Sequence, residues 1–307
     1  MSGQLGWKNE TTYGTAVTVD VFQPVLSVRQ RVDEGYIRSE GIRAGRRTRN
    51  PARLGRRVVG ADVEMELPNT SLAVLLKHYF GGYAFGAGAP NTHTNTPGAH
   101  LSKSLTFQGG VEDTGGTVRP FTYDGAKIDT WTISAAVGEL AKTSFGFTAQ
   151  DVTTATALAS ASYATITPFS FVEASVTVNA ASVASANAVT VTCNKGLRND
   201  RHVLGSRLIR EPREQDRFEF ITEIPADFDD LTLYALQEAA TQVASVLTLS
   251  NGTESLIITC SGQVVGEPPS LENQGIEPQT IRLDHSHASS DASAITAVLS
   301  NTEATAA

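Results

Sequence analysis

Sulfur, long apolar runs and catalytic constellations are all scarce in this chain. Its 307 residues hold two cysteines and two methionines. Cys193 and Cys260 each end a β-like run, VTVTC and LIITC, with no CxxC pair and no histidine at ligand spacing. Both therefore read as buried free thiols. No stretch approaches the roughly 20 apolar residues that cross a bilayer, and the opening MSGQLGW lacks a basic region followed by an apolar run. The expectation is a protein with neither an export signal nor a membrane partner.

A nucleophile with its base, a carboxylate pair in a pocket or a metal cluster would mark an enzyme. The six histidines, His78, His93, His100, His202, His285 and His287, are scattered instead. Asp284-His285-Ser286-His287 is the nearest approach to a metal ligand set, because alternate strand residues point the same way, but its Ser- and Ala-rich surroundings read as a solvated tail. Gly81, Gly82, Gly86 and Gly88 follow a helix rather than open one and lack the Lys-Ser/Thr of a phosphate loop. The residues thus point to no catalytic, cofactor-binding or metal-binding site, and to a protein that is not an enzyme.

The chain is 40% apolar, enough for two cores of ordinary size, and rich in Thr, Val, Ser, Ala and Gly with frequent alternation. That marks a mainly β fold with short helices. The net charge of -8 hides an asymmetry. Residues 29–57 hold ten arginines against three acids, a local charge of about +7 that leaves about -15 elsewhere.

Along the chain, residues 19–32 read as a strand, and residues 34–55 (EGYIRSEGIRAGRRTRNPARLG) lack apolar periodicity and read as a long loop that orders only against a partner. Residues 58–67 alternate Ala61, Val63, Met65 and Leu67 with Asp62, Glu64 and Glu66, and Ser71 is the expected cap of a helix over 72–80 that ends at Gly81-Gly82. Residues 81–98 read as a loop, four strands as following it, and residues 151–167 as a connector. The second half then repeats the order: two strands, an Arg-containing loop over 194–215, a strand over 217–224 and a helix over 227–240. Two local matches support a tandem duplication, Glu66-Leu67-Pro68 with Glu223-Ile224-Pro225, and TWTISAAVGE with IITCSGQVVGE. The expected organisation is a first repeat over 1–155 with its Arg-rich loop 34–55, a second repeat over 156–290 and a C-terminal tail over 291–307.

Two surfaces stand out. Asp62, Glu64 and Glu66, with Glu219 and Glu223 on the corresponding strand, form either a solvated sheet face or the wall of a channel whose carboxylates repel a phosphate backbone. Arg38, Arg43, Arg46, Arg47, Arg49, Arg53, Arg56 and Arg57 suit an assembly contact better than nucleic-acid binding, since Tyr36 is the loop's one aromatic for base stacking. A basic loop beside an acidic body is self-complementary between copies.

The opening GWKNETTYGTAVTVDVFQPV, the loop SEGIRAGRRTRNPARLGRR and the AAVGE strand end resemble the major tail tube proteins of long non-contractile phage tails, particularly of actinobacterial phages. The resemblance implies a small β-sheet per repeat that joins its neighbours into a continuous barrel, an outer helix in each half, and a strand-connecting loop that contacts the adjacent ring. It further implies stacked rings forming the conduit for genome delivery in the virion. Each ring would hold three copies of a duplicated chain, or six if the repeat is not real. Its partners would be the chain itself, the tape measure protein, the tail terminator and baseplate or tip proteins. Double-stranded DNA would pass without specific binding, and assembly would occur in the bacterial cytoplasm. The other readings are a tail terminator, a capsid decoration protein or a β-sandwich adhesin.

Overall fold

Alternation of inward apolar and outward polar side chains fixes most of the strands. Val59, Ala61, Val63 and Met65 are buried while Asp62 between them is exposed, as the two-residue period of a strand demands. The computed structural model describes residues 3–42, 44–45, 47–266, 277–287, 293–304 and 306.

The first half contains β1 (Gln4–Asn9), β2 (Val21–Gln23), β3 (Ser27–Asp33), β4 (Tyr36–Ile37), β5 (Arg53–Leu54), β6 (Val58–Glu66), α1 (Ala73–Phe80), β7 (Gly81–Gly86), β8 (Asn91–Pro97), β9 (Leu105–Glu112), β10 (Val118–Ala136), β11 (Lys142–Ala149) and β12 (Asp151–Thr153). The second contains β13 (Ala174–Val178), β14 (Ala181–Ser182), β15 (Ala188–Asn194), β16 (Leu197–Arg198), β17 (Arg213–Glu214), β18 (Glu219–Asp227), α2 (Thr232–Glu238), β19 (Gln242–Ser250), β20 (Ser255–Val265), β21 (Pro278–His285) and β22 (Ile295–Asn301). All but the β4–β5 and β16–β17 ribbons join one barrel-like network.

One pairing order occurs twice. The first half runs β2-β1-β9-β10-β11-β6-β3 and the second β14-β13-β19-β20-β21-β18-β15, every pair antiparallel. Strand lengths agree: β3 and β15 have 7 residues, β6 and β18 have 9, β11 and β21 have 8. Registers agree too, since Asp33↔Val58 matches Asn194↔Glu219 and Glu66↔Lys142 matches Asp227↔Pro278. Ser27 to Glu66 therefore corresponds without a gap to Ala188 to Asp227.

This register differs from the one the short motifs suggest. Glu223 corresponds to Asp62, and Asp227 to Glu66; by the same ladders Thr130 corresponds to Val265, which displaces the TWTISAAVGE match as well. Two-letter similarities at strand ends are compositional, whereas the ladder hydrogen bonds fix register.

The halves join through β10. Its first part pairs with β9 and β12, and residues 130–136 lie between β11 and β15. The result is an eight-stranded sheet β3-β6-β11-β10-β15-β18-β21-β20. Beneath it, Trp7, Phe107, Phe147 and Tyr123 pack together, with Phe107 and Phe147 stacked at 4.4 Å.

Four expectations are corrected. Residues 81–98 form the β7–β8 hairpin, because His93 and Asn95 are fully buried and find partners in Tyr83, Asn301 and the Ala297 carbonyl. The segment from 291 carries β22, seated between β20 and β8. Residues 151–167 are not a free connector: β12 pairs with β10, and the Ala157 and Ala159 backbones bond to the Gln108 side chain. Ser71 does not cap α1; it adopts φ 65°, and its N–H donates to the Glu303 carboxylate at 2.6 Å, an anion placed where the helix dipole favours one. Helix α1 has six of its eight residues buried, whereas α2 has none buried.

Candidate assembly surfaces

Cross-strand partners share a sheet face, so the registers can be followed laterally. One row runs Asp62, Gly146, Thr130, Asn194, Glu219; another runs Glu66, Lys142, Ser134, Thr190, Glu223, Arg282. All five sequence-identified carboxylates thus lie on one face of one sheet, with Gly146, Thr130 and Asn194 in one row and Lys142, Ser134 and Thr190 in the other between the two acidic strands. Four strand spacings separate β6 from β18, about 19 Å at ~4.8 Å each.

The face is acidic but not bare of cations. Arg31 lies 3.1 Å from Asp62, with both side chains more than half exposed, so the pair contributes at most about 1 kcal/mol. Lys142 lies 2.6 Å from Glu139, a contact that raises the Lys142 pKa and lowers that of Glu139. Arg282 lies 3.8 Å from Glu223. Ser27 donates to Glu64 at 3.3 Å. Asp284 and His285, expected in a solvated tail, belong to β21, and His285 Nε2 lies 2.7 Å from the Thr222 hydroxyl. Burial first, against a bond to the Ser261 backbone, lowers the His285 pKa to about 4.

The arginines divide. Arg38, Arg47, Arg49, Arg53 and Arg56 are exposed, while Arg43 and Arg46 lie outside the described residues. Arg57 is tied inward, 3.2 Å from Glu34, hydrogen-bonded to Asp151, and with its N–H on the Arg207 carbonyl. A stacking role for Arg57 was legible only from the charge run; Glu34 and Asp151 meet it through folding.

The Arg-containing loop that the sequence placed over 194–215 corresponds to residues 195–218, and its inward role was not legible there. It has the same length as residues 34–57, a left-handed glycine at the same place (Gly35 φ 48°, Gly196 φ 64°) and a matching proline, Pro51 and Pro212. It folds back on the first half. Leu197 N–H donates to Asp129 at 2.9 Å, Glu211 accepts from buried Lys127 at 2.6 Å, and Arg207 donates to the Gly55 carbonyl at 3.0 Å. Lys195 donates to the His78 carbonyl at 3.3 Å and lies 4.9 Å from the Tyr79 ring centre. Burial, aided by neighbouring lysines, lowers the pKa of His78 to about 3 and of His100 to about 2, and burial lowers those of Lys127 and Lys195. These perturbed groups hold the two halves together rather than line a cleft.

Cys193 and Cys260 are buried and free. Among the described residues no group of three or more His, Cys, Asp or Glu could hold a metal ion, and no helix is long and apolar enough to cross a membrane. A family model described as phage tail tube protein matches residues 2–297. No curated protein matches the chain.

Proposed function

This chain belongs to the phage tail tube protein family and is a structural protein of the phage tail, and we propose that its two halves are tandem copies of one tube unit, three chains closing each ring. The observation that carries the reading is the eight-stranded sheet in which one four-strand order occurs twice, β3-β6-β11-β10 and β15-β18-β21-β20. Three chains supply 24 strands, a wall of about 115 Å circumference and ~37 Å across at ~4.8 Å per strand. Side chains narrow that by ~10 Å and leave a bore for a DNA duplex. Six chains would double the width with no added contact to support it.

The Asp62, Glu64, Glu66, Glu219 and Glu223 face lines this bore, and a net negative wall keeps the phosphate backbone from adhering. The exposed arginines of residues 34–57 reach the next ring. The tape measure protein inside the tube, a terminator at one end and baseplate or tip proteins at the other are the remaining partners, and rings assemble in the host cytoplasm.

End-on electron-microscopy averages of tubes grown from the purified protein should show threefold rings with six similar lobes. True sixfold rings of six chains would remove the tandem reading while keeping the tube. Reversing Asp62, Glu64 and Glu66 to Lys together should leave tubes intact, since these side chains are outside the core, but reduce infectivity at least tenfold. Full infectivity of that variant would move the bore to another face.

A further inference from the structure

The two ends of the main sheet differ in chemistry. β6 and β18 run in the same direction, beginning at Val58 and Glu219 and ending at Glu66 and Asp227. Residues 34–57 leave the sheet where β6 begins, so the far end lies about 30 Å away along the nine residues of that strand. There, at the joint between the halves, an open groove of about 230 Å³ is floored by Ala135, Ala174, Val176, Val183, Ala186 and Val189. Val137 on its wall is 64% exposed, and Val172, next to Phe171 on the same wall, is 77% exposed. Ser182 and Val183 also border a second groove of about 160 Å³ whose rim carries exposed Asp227, Asp229 and Asp230. The Ser185 hydroxyl and the Thr232 N–H hold the Asp229 and Asp230 carboxylates at 2.6 and 2.7 Å. No described Lys or Arg forms an ion pair with any of the three. The first half is closed at the matching place. Val183 precedes β15 by five residues, as Phe22 precedes β3. Tyr163, from the segment between the halves, packs on Phe22 with ring centres 6.2 Å apart and leaves it 3% exposed.

We propose that these two grooves on the second half are the seat for the Arg-rich loop tip of a copy in the next ring. Ile42 enters the apolar groove, and Arg38, Arg47 and Arg49 meet Asp227, Asp229 and Asp230. The inference rests on the tail tube reading and adds the receiving surface, its chemistry and its number. Identical rings stacked head to tail bring the loop end of one against the far end of the next. The two surfaces are complementary. Ile42 is fully exposed among exposed arginines, and the seat offers an Ala- and Val-lined floor beside three unpaired aspartates. Opposite charges at the rim fix the register of such a contact. The numbers agree as well. Each chain projects one loop, since residues 195–218 fold back on the first half, and offers one open seat, since Tyr163 covers the place of the other. Loop and seat occur one to one, three of each per ring under the tandem reading, and so set the rotation of one ring on the next.

The test uses the full-length chain with Ile42→p-benzoylphenylalanine, tubes assembled from mixed light and heavy protein, irradiation and peptide mapping. The expected products are mixed-isotope crosslinks from residue 42 to residues 135–137, 171–189 or 227–236. Crosslinks elsewhere on the neighbour, crosslinks within one chain only, or none from well-formed tubes would each overturn the seat while leaving the tube reading standing. Should the loop probe block assembly, Val183→p-benzoylphenylalanine gives the reciprocal map, with residues 36–50 of another copy as the expected partners and any other partner overturning the seat. Failure of the unmodified protein to form tubes would instead remove the reading on which the seat rests. Asp227→Arg with Asp229→Arg should keep the melting temperature of the monomer and lower tube yield at least tenfold, and adding Arg47→Glu with Arg49→Glu should restore most of it. Unchanged yield in the first variant, or no recovery in the combined one, would also overturn the seat.

Discussion

Deleting Arg43 to Arg53 is expected to leave a folded monomer that no longer forms tubes. Every described residue from Ala44 to Arg53 except half-buried Asn50 is exposed, so the deletion removes no core and should change stability by no more than about 1 kcal/mol. It removes Arg53 from the β4–β5 ribbon and, with Arg47 and Arg49, three of the five described exposed arginines of the loop, the side chains proposed to reach a neighbouring ring. Circular dichroism melting should match the intact chain, and negative-stain fields should lack tubes at concentrations where the intact protein forms them. Tubes of normal length from the deleted chain would end the assembly role of this loop.

The second loop makes the contrast that gives the deletion its meaning. Residues 195–218 have the same length, but they contain Lys195, Leu197 and Ile209, each buried, and Glu211 on buried Lys127. Cutting the same stretch there would strand a buried ammonium, a loss of several kcal/mol, and unfold the joint. Two loops of one architecture thus differ: residues 195–218 close the joint inside the chain, whereas the described residues of 36–54 are almost all exposed.

How far the sequence discloses this depends on where each partner comes from. β6 was legible because its inward residues are apolar and its outward ones acidic, so alternation alone assigned both its core and its open face. β8 was not, because its buried positions are His93 and Asn95, whose partners include Asn301 and Ala297 about two hundred positions away. β22 has alternating buried Ile295, Ala297, Leu299 and Asn301, but the Ser-, Ala- and Thr-rich residues around it masked seven residues of strand as a tail. The repeated order of elements was legible and its register was not, since order follows from composition and turns while register is set by ladders between distant strands. The doubled arginines read as one charge run, and only the fold separates Arg57, held by Glu34 and Asp151, from the exposed remainder.

Acid is expected to weaken the monomer steeply between pH 6.5 and 4. His78, His100 and His285 have folded-state pKa values near 3, 2 and 4, lowered mainly by burial from an ordinary 6.5. The unfolded chain takes up protons at these sites as pH falls through 6.5, and the folded chain does not until much lower. Their stabilising contribution is therefore full above pH 6.5 and is lost progressively toward the folded-state values. At pH 5 the loss is on the order of 2 kcal/mol per histidine, against a total stability of roughly 5–15 kcal/mol for a domain. Asp124, whose pKa burial raises, has the opposite sign, and one carboxyl against three imidazoles does not reverse the slope. Lys103, Lys127 and Lys195 lie near both of the first two histidines and Lys77 near His78, and their charges add to burial in keeping these imidazoles neutral. Urea unfolding at pH 7 and pH 5 should show the drop, and His285→Asn, which can still bond to Thr222, should remove about a third of it. An identical pH slope in that variant would mean that His285 is not kept neutral by the fold.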